Sequence, residues 1–190
     1  MVRFKHRYLL VSLVFPDSLL TPANPHEPFT PPQMTESSLI SLLRDSLAVN
    51  FGDVGAGEVG GTFSIKYFSP STSTLILRVS REHHRTLWAA LTLLRKVGGQ
   101  ECVARVVHVS GTIRKTQHAA MAHDRAAILL SASRTRARAR ARARARQGRA
   151  GAAMGAMGAK AGEDRDEAGV DAETERRLRE SEERIAAMEA

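Results

Sequence analysis

Residues 1–16 read MVRFKHRYLLVSLVFP, and their periodicity sets the plan of the fold. Arg3, Lys5 and Arg7 fall on one face and Phe4, His6 and Tyr8 on the other, the period of two of a β-strand. From Leu9 onward both faces are apolar, as expected of a strand that runs into a sheet covered on at least one side, and Pro16-Asp17 ends the run. The three cations ahead of an apolar run imitate a secretory leader. No small-x-small cleavage site follows, however, and the run is only roughly eight residues long. No stretch approaches the ~20 apolar residues of a membrane span, and Cys102 is the only cysteine, so no intrachain disulfide and no cysteine-rich zinc site is possible. A soluble protein of a reducing, intracellular compartment is expected.

Working outward, six of the seven prolines lie in residues 16–32, with Pro22, Pro25, Pro28 and Pro31 at every third position. That spacing suits an extended loop and excludes a regular helix; it reads as an insertion over 16–33, or as a docking peptide. Thr35 caps a helix expected to run to about Asn50, with Leu39, Leu42, Leu43, Leu47 and Phe51 as its apolar stripe. The glycine-rich stretch Gly52 to Gly61 is expected to break it as a flexible connector. Strands over 62–69 and 73–80 make a hairpin at Ser69-Pro70-Ser71-Thr72. A second helix over 81–97 turns Leu87, Ala90, Leu91 and Leu94 inward and ends at Gly98-Gly99. A strand over 102–109 places Val103, Val107 and Val109 on one face, and a helix follows over 112–131. The order β-α-β-β-α-β plus a helix is the α+β, split βαβ plan, a ferredoxin-like sandwich.

Charge divides the chain into three. Residues 1–133 carry fourteen lysines and arginines against nine acids; residues 134–149 carry eight arginines and no acid; residues 150–190 carry six cations against eleven acids. A basic domain favours a polyanionic partner, since each cation set on a phosphate releases a counterion. The domain is expected over 1–131. Residues 132–170 read as a disordered Arg/Ala- and Gly/Ala-rich linker, because the alternating arginines would set like charges one helical turn apart. The arginine tract reads equally as an import signal or as neutral low-complexity sequence. Residues 171–190 form an acidic tail in which Glu175–Arg179 and Glu180–Arg184 favour a solvated helix.

Few residues suit chemistry. The seven histidines include no pair at i,i+4 spacing and no accompanying acidic cluster, so no metal site is expected. No nucleophile-elbow pattern surrounds a serine, and the glycines of 52–61 are not followed by the Lys-Ser or Lys-Thr of a phosphate loop. Acylphosphatases share the topology but place an arginine in a glycine loop after the first strand, where this chain is proline-rich. Cation binding to phosphate fares better. Arg3, Lys5 and Arg7 share a strand face, with Arg78 on a neighbouring strand, and such rows hold phosphates. The aromatic motif of base-stacking sheets is missing, so a grip on structured RNA backbone is expected. In Val109-Ser110-Gly111-Thr112-Ile113-Arg114-Lys115, Gly111 allows a tight turn and Thr112 starts a helix. Its free amides, beside Arg114 and Lys115, make an anion site or an ordinary strand-to-helix junction.

Three segments carry a resemblance: MVRFKHRYLL (1–10), KYFSPSTSTLILRVSREHHRTLWAAL (66–91) and VSGTIRKTQ (109–117). Together they resemble the Pop-five subunit family of nuclear ribonuclease P and ribonuclease MRP, and LAVNFGDVGAGE (47–58) with the proline-rich insertion resembles its fungal members. The resemblance covers roughly residues 1–131. It implies an RNA-recognition-like (RRM-like) sandwich without the stacking motif, and a subunit that is not itself a nuclease. Hydrolysis in that family belongs to the RNA and its bound Mg2+, with no cofactor on this chain. The implied partners are ribonuclease P RNA, ribonuclease MRP RNA, a paralogous small subunit and the thirty-kilodalton subunit. The implied work, in nucleus and nucleolus, is 5′-leader removal from precursor tRNA and precursor rRNA processing. Arg3, Lys5, Arg7 and Tyr8 match the family opening, and Gly111, Thr112, Ile113, Arg114 and Lys115 its Gly-Thr-Ile turn. Beside this stand two other functions: an adaptor bound through protein alone, and a small acylphosphatase-like enzyme.

Overall fold

A computed structural model of the chain describes residues 5–16, 34–153 and 171–189. Arg3, most of the proline-rich insertion (17–33) and the linker stretch 154–170 lie outside the described residues. The opening strand, β1 (His6–Val14), lies at the centre of a four-stranded sheet. Its neighbours are β3 (Thr74–Ser80) and β6 (Val103–Ser110), and β2 (Ser64–Ser69) lies beyond β3, in the order β2-β3-β1-β6. Every neighbouring pair is antiparallel, so β1 and β2 run parallel with β3 between them. This is the split βαβ arrangement expected from the sequence. The β2–β3 hairpin turns where expected, with Ser73 at φ 53°.

The first helix, α1 (Glu36–Gly60), starts as the sequence indicates. The Thr35 hydroxyl accepts from the Ser38 amide at 3.3 Å, and Ser38 Oγ accepts from the Thr35 amide at 3.1 Å, closing both ends of a capping box. It does not end near Asn50. It breaks only at Gly52 (φ 63°, ψ −163°), a conformation open essentially to glycine alone, and then resumes. Arg44 Nε donates to the Gly60 carbonyl at 3.1 Å, holding the second segment against the first, and Val59 is fully buried. The expected connector is therefore helix. The second helix, α2 (His84–Leu93), is shorter than expected: Leu94 turns extended, and Gly98 and Gly99, both at positive φ, join a small hairpin of β4 (Lys96–Val97) and β5 (Gln100–Glu101). A glycine pair suits that two-residue turn better than a helix end.

Leu9, Val11 and Leu13 of β1, Phe15 just after it, and Leu75, Leu77 and Val79 of β3 face α1 and α2, and meet Leu39, Leu43, Leu47, Leu87 and Leu91. Each fully buried leucine contributes about 1.5–3 kcal/mol by removal from water, which makes this layer the main core. In β6 the expected grouping of Val103, Val107 and Val109 fails. Leu10 pairs with His108 and Val11 with Val106, leaving Val107 unpaired. This bulge switches the alternation, so Ala104, Val106 and Val109 pack inward while Val103 and Val107 are exposed.

The sheet's other face is also covered. Leu10, Tyr67 and Ile76 pack against Ala120 of α3 (Ile113–Ala153) and Ile185 of α4 (Ala172–Ala186), with Tyr8 and Met121 at the margin. Two expectations are corrected here. Disorder was expected for the arginine–alanine tract, yet α3 runs through residue 131 and the tract without interruption. Alanine and arginine rank high in helix propensity, and the packed first turns of α3 (Thr116, Gln117, Ala120, Asp124 and Ile128 buried) supply the nucleus that an isolated helix must form. The acidic tail is helical as expected but is not a solvated helix. Ile185 is fully buried, the Gln117 amide donates to its carbonyl at 3.3 Å, and Ser181 Oγ donates to buried Asp124 at 3.1 Å. Asp124 also accepts from Thr72 (3.1 Å) and Thr74 (2.8 Å), so one carboxylate ties the hairpin, α3 and α4 together. Among the described residues no helix is long and apolar enough to cross a membrane.

Candidate nucleic-acid interface

The cations converge at one end of the sheet, where β1 begins and β3 and β6 end. Lys5 is exposed just ahead of β1, and its carbonyl accepts from the Arg81 amide at 2.9 Å, carrying the β1–β3 ladder one step past its last pair. Arg7 lies on the face of Leu9, opposite Val79 in register, and its guanidinium leans over the turn between β6 and α3. A Cβ placed on Gly111 would stand 2.8 Å from Arg7 Nη1. The absence of a side chain at Gly111 is what lets the guanidinium lie against that turn. Thr112 donates its amide to Ser110 Oγ at 3.2 Å, and its carbonyl accepts from both Thr116 N (3.4 Å) and Thr116 Oγ1 (3.2 Å), opening α3. Arg114 and Lys115 follow in the first turn, both exposed.

Arg7, Gly111, Thr112, Arg114 and Lys115 are thus brought together across the β6–α3 junction. Arg3 lies outside the described residues, and Arg78 does not share a face with Arg7. Arg78 is opposite Tyr8 in register, and residues directly opposed on an antiparallel pair share a face, so Arg78 lies on the face away from Arg7. Its Nη2 meets the His6 ring at 2.9 Å. Tyr8 stands between Arg78 and Ser110 and packs against the Leu10–Tyr67–Ile76 cluster, where α3 and α4 cover the sheet. It is part-buried at the margin of that second layer. Arg81, which the sequence reading overlooked, is exposed beside Lys5. The signal was available in the hairpin register, since a strand pair carried one residue further sets Lys5 against Arg81.

The end of the sheet therefore presents Lys5, Arg7 and Arg81 on the β1–β3 side and Arg114 and Lys115 on the α3 side. Glu82 is the neighbouring acid in sequence. Such an array suits backbone phosphates, which ask for cations and amides but no base-edge geometry. Elsewhere the titratable groups are structural. Burial pushes the Cys102 thiol up to about 11, partly offset by a hydrogen bond from the Val14 backbone, and burial likewise raises Tyr67. Among the described residues no three His, Cys, Asp or Glu side chains group as a metal site would need.

The model of the Rpp14/Pop5 family matches residues 7–121, which spans both halves of this interface. Among curated proteins the chain is similar to the ribonuclease P/MRP protein subunit POP5 of Schizosaccharomyces pombe, 48% identical over 128 residues, covering 67% of this chain and 91% of that one. It is 36% identical over 126 residues to the probable POP5 subunit of Arabidopsis thaliana (66% and 80% covered). It is 34% identical over 134 residues to the human POP5 subunit (68% and 76% covered). A chain from a cryo-EM structure of yeast ribonuclease MRP overlays at TM-score 0.46 and 14% identity, covering 60% of this chain and 79% of that one.

Proposed function

This chain belongs to the Rpp14/Pop5 family, and from that premise we propose that it is a non-catalytic, RNA-binding protein subunit of ribonuclease P and ribonuclease MRP. The observation that carries the RNA-binding part is the convergence of Lys5, Arg7, Arg81, Arg114 and Lys115 at one end of the sheet, with Arg7 laid against Gly111. Each cation seated on a phosphate releases a counterion, so a handful suffices for a strong, salt-sensitive and sequence-tolerant grip. Both faces of the sheet are packed against helices, which favours binding at its end over base stacking on its surface. In this reading the subunit braces the RNA beside a paralogous small subunit and the thirty-kilodalton subunit. Hydrolysis would belong to the RNA, where bound Mg2+ would supply the activation of water, and the particle would remove 5′ leaders from precursor tRNA and cut precursor rRNA in the nucleus and nucleolus.

The test is purification of the tagged full chain from its own cells, with sequencing of the co-purifying RNA. Recovery of the two structured RNAs together with several small proteins is expected. Recovery of neither RNA would overturn the proposal. Retention of the protein partners after complete RNA digestion, with no RNA affinity in the purified chain, would assign it to a protein-bound adaptor.

A further inference from the structure

We infer that Trp88 is a stacking platform for an unpaired RNA base, set beside the phosphate-binding end of the sheet. The inference rests on the RNA-binding reading above and adds to it a place for a base. Trp88 is the only tryptophan of the chain. It is 43% exposed on α2 and, among the described residues, the only exposed aromatic, whereas tryptophan is on average well buried. The start of α2 is pinned to the cationic end. The Arg81 amide donates to the Lys5 carbonyl at 2.9 Å, and His84 Nδ1 donates to the Arg81 carbonyl at 2.7 Å. His83, just ahead of the helix, meets Glu58 near the end of α1 at 3.4 Å. Trp88 follows His84 by four residues, so it stands about 6 Å along the axis from the helix start.

Helical spacing fixes which way the indole faces. Leu87, Ala90 and Leu91 are the buried residues of α2, and Ser46 of α1 donates its hydroxyl to the Ala90 carbonyl at 3.4 Å. Trp88 is two residues from Ala90, about 200° around the axis, and so lies on the flank away from α1. His84 and Arg85 before it and Thr92 after it stand at the three- and four-residue spacings that share this flank. Thr92 Oγ1 donates to the Trp88 carbonyl at 3.0 Å. Arg81 and Arg85 are exposed, and among the described residues neither forms an ion pair.

An exposed indole beside arginines suits a single-stranded nucleotide, whose base stacks on the ring face while the cations take its phosphates. In structured RNA the bases free for this are those of bulges and loops. Every base has a π-face, so such a platform tolerates any sequence, as does the phosphate grip next to it. A tryptophan that anchors a protein partner sits in a packed pocket ringed by contacts that exclude water. The flank neighbours of Trp88 are instead polar or cationic, which favours the nucleotide. Helices cover both faces of the sheet, so a ring on a helix takes the stacking role that the sheet does not.

The test uses the full chain and two probes, a blunt RNA duplex and the same duplex carrying one bulged base, and follows tryptophan emission and affinity. Because Trp88 is the sole tryptophan, its emission reports this site alone. The bulged duplex is expected to quench it and the paired duplex to leave it nearly unchanged. Trp88→Ala is expected to weaken binding of the bulged duplex about fivefold or more, the loss of one stacked base, while Trp88→Phe keeps most of the affinity. The slope of log affinity against log salt should be the same in Trp88→Ala as in the wild type, since no phosphate contact is lost. Unchanged emission at saturating bulged RNA, equal quenching by both duplexes, or wild-type affinity in Trp88→Ala would overturn the platform and leave the proposed function standing. Loss of a protein subunit from Trp88→Ala with RNA affinity intact would overturn it in favour of a protein contact. Failure of the wild-type chain to bind either duplex would overturn both the platform and the RNA-binding reading.

Discussion

Replacing Asp124 by Ala removes the carboxylate on which three structural elements meet, and its cost follows from the surroundings of each donor. Thr74 (2.8 Å), Thr72 (3.1 Å) and Ser181 (3.1 Å) all donate to it, and Asp124 itself is fully buried. Hydrogen bonds to a charged acceptor contribute about 1.5–3 kcal/mol each, so three would give an upper bound of about 4.5–9 kcal/mol. Two effects reduce this. Thr74 Oγ1 also lies 3.2 Å from the Thr72 carbonyl and finds that acceptor when the carboxylate is gone, while Thr72 and Ser181 are only part-buried and turn to water. Removing a buried charge also recovers part of its desolvation penalty, worth several kcal/mol. The net destabilisation expected is about 2–4 kcal/mol, measured by urea denaturation as a lower midpoint. Because Ser181 loses its partner, hydrogen exchange should rise in α4 more than in α1. An Asp124→Ala protein as stable as the wild type, or one whose α4 keeps its protection, would refute the role given to this carboxylate.

Two further outcomes follow from the same layers. Ile185→Ala empties a fully buried position against Leu10, Tyr67, Ile76 and Ala120 and should cost about 2–5 kcal/mol in a urea titration; a change within about 0.5 kcal/mol, the size usual for surface substitutions, would mean that α4 is not docked on the sheet. Cys102 binds its proton more tightly when folded, with burial lifting the thiol from 9.0 to about 11, so the stability linked to it is full below about pH 9 and lost as pH rises through 11. That amounts to about 2–3 kcal/mol at most. The loss should be absent from Cys102→Ala, and equal pH dependence of the two proteins' denaturation midpoints between pH 9 and 11 would contradict it.

Much of this architecture was legible in the sequence because it is local. The alternation of Lys5 to Tyr8, the Thr35 cap and the hairpin at Ser69-Pro70-Ser71-Thr72 each depend on a few adjacent residues, and the element order then leaves one plan open. What was missed is non-local. A single bulge at Val107 reverses which valines of β6 face inward, and no pattern within the strand announces it. The glycines after Phe51 suggested a connector, whereas one glycine broke the helix and packing of Val59 restored it. The docking of α4 rests on Ile185 and Ser181 meeting Tyr67 and Asp124 from more than fifty residues away, which composition alone presents as an acidic tail. The candidate site was half legible. Lys5, Arg7, Arg114 and Lys115 were singled out from charge and turn chemistry, but that Gly111 makes room for Arg7, that Arg78 lies on the opposite face and that Arg81 extends the array required the register.

The central claim is that the end of the sheet grips RNA through its phosphates, and the salt dependence of affinity tests it most directly. A structured RNA hairpin is titrated with the wild-type chain and with a variant carrying Ala at Lys5, Arg7, Arg114 and Lys115, at several salt concentrations. The account predicts weaker binding and a slope of log affinity against log salt less negative by up to about 3.6, at about 0.9 for each phosphate released, with the urea midpoint little changed. An unchanged slope in a folded variant would contradict it.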